Sequence, residues 1–260
     1  MKKHLLDEIF PVPTFSKPRQ IRQTWLKDPG FSQARWGEKM GLIELPDFLE
    51  VMAPRLDYVK LFPDHAINAP QEWFMRKLST YIEYSVIPYF DHAYFQQAYR
   101  RGKTEQAIVA AAELGIQAME FMNVNPPISA QRWTQLVKLG AANNVRVIFE
   151  FHPPQMYDRN QPEGPTSSED ILSAAMPCLD AGATALMIDH KEFDLHGERA
   201  EEELGKLIDQ LSFSRLIFEV DSPAWHQYLR HYFRFFGSDA NVSNILPGQA
   251  PEVEKLRQSM

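Results

Sequence analysis

The sequence predicts a single α/β domain folded as a (β/α)8 TIM barrel. Eight short runs of aliphatic, β-branched and aromatic residues alternate with eight helix-like segments, which is the order that a closed parallel barrel requires. Glycine stands where two of the helices end and the next strand begins, in Leu114-Gly115-Ile116 and in Ala181-Gly182-Ala183. The length of 260 residues suits one such barrel, and no linker divides it.

The predicted strands cover residues 21–26, 57–62, 86–90, 117–121, 145–151, 185–188, 216–220 and 241–245. The predicted helices cover residues 45–53, 71–85, 104–114, 130–143, 168–181, 198–211, 223–235 and 250–258. The fifth and seventh strands consist mostly of β-branched, aliphatic and aromatic residues, as strands buried on both faces do. Thr104 and Ser168 are suitable first residues for their helices, and Pro251 lies where a helix tolerates proline.

Two segments fall outside this alternation. Residues 1–20 are rich in proline and polar residues and predict an extended N-terminal arm, so residues 21–260 form the TIM-barrel catalytic domain. Residues 153–166 contain four prolines and are too long for an ordinary connection. We expect this second segment to be an active-site loop or lid.

Composition restricts the partners. The net charge of -7 argues against nucleic acid or an anionic membrane as a partner, whereas a small anionic substrate stays compatible with a local site. No apolar stretch approaches the roughly 20 residues that span a membrane, and the N-terminus lacks a signal-peptide core, so we predict a cytoplasmic protein. The single cysteine, Cys178, lies in an apolar run and is interpreted as a packed core thiol in a reducing compartment.

Polar and charged residues stand at the ends of most predicted strands, which in a barrel meet at one mouth. They are Lys27, Asp28, Lys60, Asp91, His92, Glu120, Asn123, Glu150, His152, Asp189, His190, Lys191, Glu192, Glu219, Asp221, Asn241 and Asn244. Glu120, Glu150 and Glu219 are the most informative, because each lies between apolar neighbours. Burying such carboxylates is costly unless a metal ion or a cationic side chain offsets their charge.

Oxygen donors without a cysteine–histidine cluster predict Mg²⁺, bound by Glu120, Glu150, Asp189 and Glu219. His152 and His190 leave a transition metal open. The non-catalytic interpretation is an ion-pair network inside the barrel that involves Lys60 and Lys191.

The last strand and the turn that follows it contain Asn241, Ser243, Asn244 and Gly248, which suit a phosphate site at a helix N-terminus. The same residues are ordinary turn formers, so the two interpretations are equally supported. The aromatic residues of 228–236 could form the interface of a homo-oligomer or be covered by the N-terminal arm.

Several short motifs occur in the order found in a known family. They are Asp28-Pro29-Gly30, Asp57-Tyr58-Val59-Lys60, Val147-Ile148-Phe149-Glu150, Ile217-Phe218-Glu219, Asn241-Val242-Ser243-Asn244-Ile245 and Glu254-Lys255-Leu256-Arg257. From about Pro18 to Arg257 the chain resembles phosphosulfolactate synthase and its relatives, which include a plant heat-stress-associated group. The resemblance implies Mg²⁺-dependent addition of sulfite to C3 of phosphoenolpyruvate, with an enolate-like intermediate that Lys60 protonates at C2. We expect Glu150, His152 and Lys191 to be the other catalytic residues.

The chain departs from the family pattern mainly where cations or glycines bind anions. Pro29 stands beside the first-strand aspartate in place of a lysine, and Asp91-His92 replace a glycine pair. Phe151-His152 replace a Gly-Lys pair, and Lys191 replaces an arginine. Two alternatives therefore stand beside the sulfite reaction: a metal-dependent enzyme acting on another small carboxylate or phosphate, and a non-catalytic stress-associated barrel.

Overall fold

The computed structural model describes residues 16–30, 40–124, 127–153, 166–189, 198–220 and 223–259. Within these ranges, eight parallel strands close into one barrel in chain order, with β1 paired to both β2 and β8. The strands are β1 (Thr24–Asp28), β2 (Tyr58–Leu61), β3 (Ile87–Phe90), β4 (Ala118–Met122), β5 (Arg146–Glu150), β6 (Ala185–Asp189), β7 (Leu216–Glu219) and β8 (Val242–Ile245). The predicted (β/α)8 fold is confirmed.

The α-helices of the described residues lie outside the barrel. They are α1 (Glu44–Met52), α2 (Pro63–Asn68), α3 (Gln71–Glu83), α4 (His92–Arg100), α5 (Thr104–Glu113), α6 (Ala130–Ala142), α7 (Ser168–Asp180), α8 (Glu198–Gln210), α9 (Trp225–Phe236) and α10 (Ala250–Gln258). Helices α2 and α4 were not predicted. Helix α4 starts directly after β3 because the Asp91 carboxylate caps it, accepting a hydrogen bond from the Ala93 N–H at 2.8 Å.

The first strand begins at Thr24, three residues later than the predicted start at residue 21. Arg22 has a φ of 61°, which interrupts the extended backbone before β1. As a result Lys27 and Asp28, predicted to follow the strand, are its last two residues.

Side chains on the strands alternate between the helix layer and the barrel interior. On β2, Val59 and Leu61 pack in the main core under the helices, whereas Tyr58 belongs to a separate cluster inside the barrel. This inner cluster is apolar and aromatic, and it comprises Trp25, Tyr58, Tyr89, Ala118, Ile148, Ala185, Met187 and Ile217. The interior position two residues after Tyr58 is Lys60, so the filling changes from apolar to charged towards the C-terminal ends of the strands.

An ion pair lies at the opposite, N-terminal end of the barrel. The Arg19 guanidinium donates to Asp57 from Nε and Nη2 at 3.0 and 2.7 Å, and both residues are buried. Asp57 also accepts the backbone N–H groups of Arg19 and Thr24 at 2.9 and 3.1 Å. The end of the predicted arm is thereby fixed to the barrel, while residues 1–15 lie outside the described residues, as do residues 154–165 of the predicted lid.

Much of the aromatic surface of α9 is used within the core. Tyr232 and Phe236 stack on Phe218 of β7, with ring centroids 4.6 and 4.7 Å apart. Cys178 is buried, and burial raises the pKa of its thiol, in keeping with a packed core residue. Among the described residues, no helix is both long and apolar enough to cross a membrane.

Candidate active site

Buried charged side chains from four strands meet at the C-terminal mouth of the barrel. Lys60, Glu120, Glu150 and Glu219 come from β2, β4, β5 and β7, and His92 and His152 follow β3 and β5. The residues directly before and after each glutamate pack in the core under the helices, so the glutamate itself faces the barrel interior. The alternation of the strands therefore places these carboxylates inside the barrel.

Lys60 is held between two carboxylates. Its Nζ lies 2.6 Å from Glu219 Oε1 and 2.9 Å from Glu120 Oε1, and the side chain is fully buried. Burial alone would lower the pKa of this lysine, but Glu120 and Glu219 hold that pKa well above its ordinary value. Lys60 is therefore an ammonium ion with a proton to donate.

Glu150 is held between two histidines. Its Oε2 lies 2.8 Å from His92 Nδ1, and its Oε1 lies 3.2 Å from His152 Nε2. Although burial opposes ionisation, His92 and Lys60 keep the pKa of Glu150 well below its ordinary value. Burial likewise opposes the charge on His92, yet Asp91 and Glu150 raise the pKa of His92 to about 10. The pair is a carboxylate and an imidazolium at neutral pH.

The other two glutamates carry charge that these cations do not balance. Burial, and next the charge of Glu150, raise the pKa of Glu219 to about 8 and that of Glu120 well above its ordinary value. In this network of described residues, four carboxylates, those of Asp91, Glu120, Glu150 and Glu219, contact the two cations Lys60 and His92. Full ionisation would leave an excess of negative charge.

A divalent cation fits this excess. Glu120, Glu150 and Glu219 each offer a carboxylate oxygen, and these oxygens lie within 4.8 Å of one another. Oxygen donors of this kind suit Mg²⁺. Asp189, the fourth predicted ligand, ends β6 directly opposite Glu219 in the strand register, where it is half-buried and helps to raise the pKa of Glu219.

The predicted phosphate residues do not all reach the mouth. Ser243 is an interior residue paired with Glu219, and Asn244, with a φ of 61°, is the extra residue of a bulge in β8 opposite β1. The Asn244 Oδ1 atom is buried without a hydrogen-bond partner among the described residues. Gly248 lies beyond them in the 3₁₀ turn Pro247–Gln249, ahead of α10.

Asn241, by contrast, precedes β8 at the N-terminal end of the barrel. Its amide accepts the Gln23 N–H at 2.9 Å and donates to the Leu216 carbonyl at 3.1 Å. These bonds tie β8 to its neighbours β1 and β7. The structure therefore separates Asn241 from Ser243 and Asn244.

Two further residues that were predicted at the mouth, Lys191 and Asp28, are not found in the cluster of described residues there. Lys191 lies outside the described residues, together with His190. Asp28 faces the helix layer, where Lys77 Nζ lies 2.6 Å from its Oδ2 and the Tyr81 hydroxyl donates to it at 2.8 Å. Asp28 thus forms a buried ion pair with α3.

Three residues of the mouth were predicted at strand ends but not as individual catalytic, metal or phosphate residues, although His92 is one of the histidines that favour the metal-dependent alternative. His92 contacts Glu150, and Asn123 holds the backbone of His152 through bonds of 2.9 and 2.7 Å. Lys27 is buried over the Phe62 ring, 5.4 Å from its centroid, and its charge also acts on Glu219. The signal that could have identified His92 is its position directly after β3.

Comparison with known proteins assigns the chain to a family. The model of the (2R)-phospho-3-sulfolactate synthase (ComA) family matches residues 13–260. The protein belongs to this family. A curated relative, the phosphosulfolactate synthase of Methanocaldococcus jannaschii, is 25% identical over 221 residues, which are 82% of this chain and 85% of the relative. The phosphosulfolactate synthase family thus includes this chain as a diverged member, and the protein is a lyase-type enzyme.

Solved structures resemble this member of the phosphosulfolactate synthase family in fold alone. KGPDC from Streptococcus mutans matches with a TM-score of 0.55 at 12% identity, over 91% of this chain and 94% of that one. The YdjI aldolase from Escherichia coli K12 matches with a TM-score of 0.53 at 11% identity, over 87% and 76% of the two chains.

Proposed function

We propose that this enzyme adds sulfite, or a related nucleophile, to C3 of phosphoenolpyruvate with Mg²⁺ and forms phosphosulfolactate. The observation that carries the proposal is the buried Lys60 ammonium, held by Glu120 and Glu219 at the mouth of a barrel of this family. A fixed proton donor beside carboxylates suits a reaction that ends with protonation of carbon.

The chemistry assigns a separate task to each group. The sulfur of sulfite forms a bond to C3, the C2–C3 π electrons move to C2 and its carboxylate, and C2 then takes a proton from Lys60 Nζ. Glu120, Glu150, Asp189 and Glu219 would hold Mg²⁺, which would supply positive charge near the carboxylate of the substrate. The His92 imidazolium and Lys27 add positive charge for a substrate that is itself anionic.

The phosphate of the substrate would lie against the end of β8. Ser243, Asn244 and Gly248 provide a hydroxyl, an amide and a backbone N–H near the start of α10. Asn241 takes a structural role in this proposal because its amide already bonds to Gln23 and Leu216. Lys191, which lies outside the described residues, remains a candidate catalytic residue.

A second candidate is a metal-dependent reaction of another small carboxylate or phosphate. The contacts of His92 and His152 with Glu150 favour it, since these histidines replace glycine-containing pairs of the family pattern. Because the protein is a lyase-type enzyme, the non-catalytic alternative is set aside.

The test is to incubate the purified protein with phosphoenolpyruvate, sulfite and Mg²⁺ in D₂O and to follow the product by phosphorus NMR and mass spectrometry. We expect phosphosulfolactate carrying deuterium at C2, and loss of product when a chelator is added. Lys60→Met should lower kcat by about 100-fold or more. Lys206→Met is the control, because Lys206 is half-exposed on α8 and pairs with Glu202 and Glu203, which are not residues of the mouth cluster.

Product without deuterium at C2, or wild-type turnover by Lys60→Met, would reject the role of Lys60. The absence of product from the wild-type protein, with metal still bound, would instead favour the second candidate.

A further inference from the structure

We propose that His92, Glu150 and His152 form a site for a divalent transition-metal ion. One nitrogen of each ring and one oxygen of the carboxylate lie within 4.8 Å of one another. This inference goes beyond the proposed function, since it concerns which cation the mouth binds and does not depend on the substrate.

The donor set differs in kind from the three glutamates. Imidazole nitrogens suit zinc, iron, copper and nickel, whereas carboxylates and water suit magnesium. Two histidines and one carboxylate on one side of an ion leave the remaining positions open for water or substrate. The site is therefore selective for a transition metal and leaves room for chemistry.

The distances are close to those that a bound ion needs. Two donors at about 2.1 Å from a tetrahedral ion lie about 3.4 Å apart. His92 Nδ1 and His152 Nε2 are 2.8 and 3.2 Å from the nearest Glu150 oxygens. Small side-chain rotations would suffice to admit the ion.

Neighbouring groups hold both histidines in place. The His92 backbone N–H donates to Glu120 Oε2 at 3.0 Å, and Asn123 binds both the N–H and the carbonyl of His152. The two rings touch edge to face, with centroids 4.5 Å apart. Such outer contacts orient metal-binding histidines.

A purely structural role accounts for one histidine but not for both. The imidazolium of His92 is sufficient to balance the charge of Glu150, because its Nδ1 lies 2.8 Å from Glu150 Oε2. The Nε2 atom of His152 lies 3.2 Å from the other oxygen of the same carboxylate, so Glu150 contacts one nitrogen from each of two histidines. This convergence is what a metal site requires.

The site shares Glu150 with the proposed Mg²⁺ ligands, so the two cations compete for that carboxylate. Lys60 would stay with Glu120 and Glu219 while a transition metal is bound, because neither of those contacts involves Glu150.

The test is a titration of chelator-treated protein with Co²⁺, followed by visible absorption and calorimetry. We expect wild-type protein to bind one Co²⁺ with the absorption of nitrogen ligation. His92→Asn and His152→Asn should each weaken binding by at least about tenfold. His226→Asn is the matched control, since His226 lies on α9 near Glu252 and should leave binding unchanged. Thermal unfolding without metal checks that every variant is folded.

No Co²⁺ binding to wild-type protein, or wild-type affinity in both folded mouth variants, would overturn the inference. Turnover of phosphoenolpyruvate and sulfite with Mg²⁺ is measured on the same samples. Turnover without Co²⁺ binding rejects the transition-metal site alone, and Co²⁺ binding without turnover rejects the proposed reaction alone.

Discussion

The barrel contains two buried ionic clusters at opposite ends, and their charges are balanced differently. At the N-terminal end, the Asp57 carboxylate pairs with Arg19 and accepts five hydrogen bonds, two of them from backbone N–H groups. At the mouth, Glu120 and Glu219 share one lysine, and the pKa of each carboxyl is raised.

This difference separates stability from function. Both oxygens of Asp57 are hydrogen-bonded, and Arg19 also lies 4.0 Å from Glu254, so the N-terminal cluster leaves no carboxylate oxygen of Asp57 for a ligand and contributes to the stability of the fold. A cluster with excess carboxylates is unfavourable unless a cation or protons join it, which is the usual condition of a binding site.

The largest expected effect comes from breaking the N-terminal pair. Asp57→Asn should lower the free energy of unfolding by about 3–5 kcal/mol, because it removes the carboxylate 2.7 Å from the buried Arg19 guanidinium and leaves Glu254 at 4.0 Å. Urea unfolding measures the change, and Glu113→Gln on the exposed face of α5 is the control, expected within about 0.5 kcal/mol of wild type. A loss in Asp57→Asn no larger than that of the control would show that the pair is not a stabilising element.

At the mouth, replacing the carboxylate of Glu219 by an amide should raise the free energy of unfolding at high pH, whereas Asp57→Asn lowers it. The native pKa of Glu219 is about 8, above its ordinary value of 4.5, so its contribution is present below pH 4.5 and is lost as the pH rises through 8. Without metal, wild-type stability should fall across this window by at most about 1.4 kcal/mol per pH unit from this group.

Glu219→Gln should flatten that slope, because glutamine does not ionise. Chemical unfolding at several pH values, in chelator, compares the variant with wild type. Equal slopes would mean that Glu219 ionises normally in the folded protein.

The smallest effect is expected for a carboxylate outside the barrel. Glu203 on α8 accepts from Lys206 Nζ at 2.8 Å and from the Ser168 N–H at 2.6 Å, and these bonds lower the pKa of Glu203 to about 2. Its contribution is present above pH 4.5 and is lost as the pH falls through 2.

Glu203→Gln should therefore cost about 1 kcal/mol at pH 7 and little at pH 2. Glu202→Gln is the control, because Glu202 contacts the same lysine at 2.8 Å but is two-thirds exposed. A pH-independent cost for Glu203→Gln would exclude its charge as the cause.

The sequence predicted the mouth better than it predicted the ends of individual strands. Glu120, Glu150 and Glu219 could be found because a carboxylate between apolar neighbours is rare and the barrel fold collects strand ends. Lys60 could be found for the same reason. Asn241 and Asp28 were also expected near the mouth, but Asn241 precedes its strand and Asp28 faces α3.

The sequence by itself determined the barrel, its eight strands and the identity of the buried acids, since these follow from periodicity and from local composition. Only the tertiary structure decided the pairing: that Lys60 lies between Glu120 and Glu219, and that His92 and His152 converge on Glu150. Lys60 and Glu219 are 159 residues apart, and His92 and Glu150 are 58 residues apart, so closure of the barrel sets these distances; only His152 is near Glu150 in the sequence. The amino-acid sequence does not specify the distances between side chains on different strands, and the chemistry of the site depends on those distances.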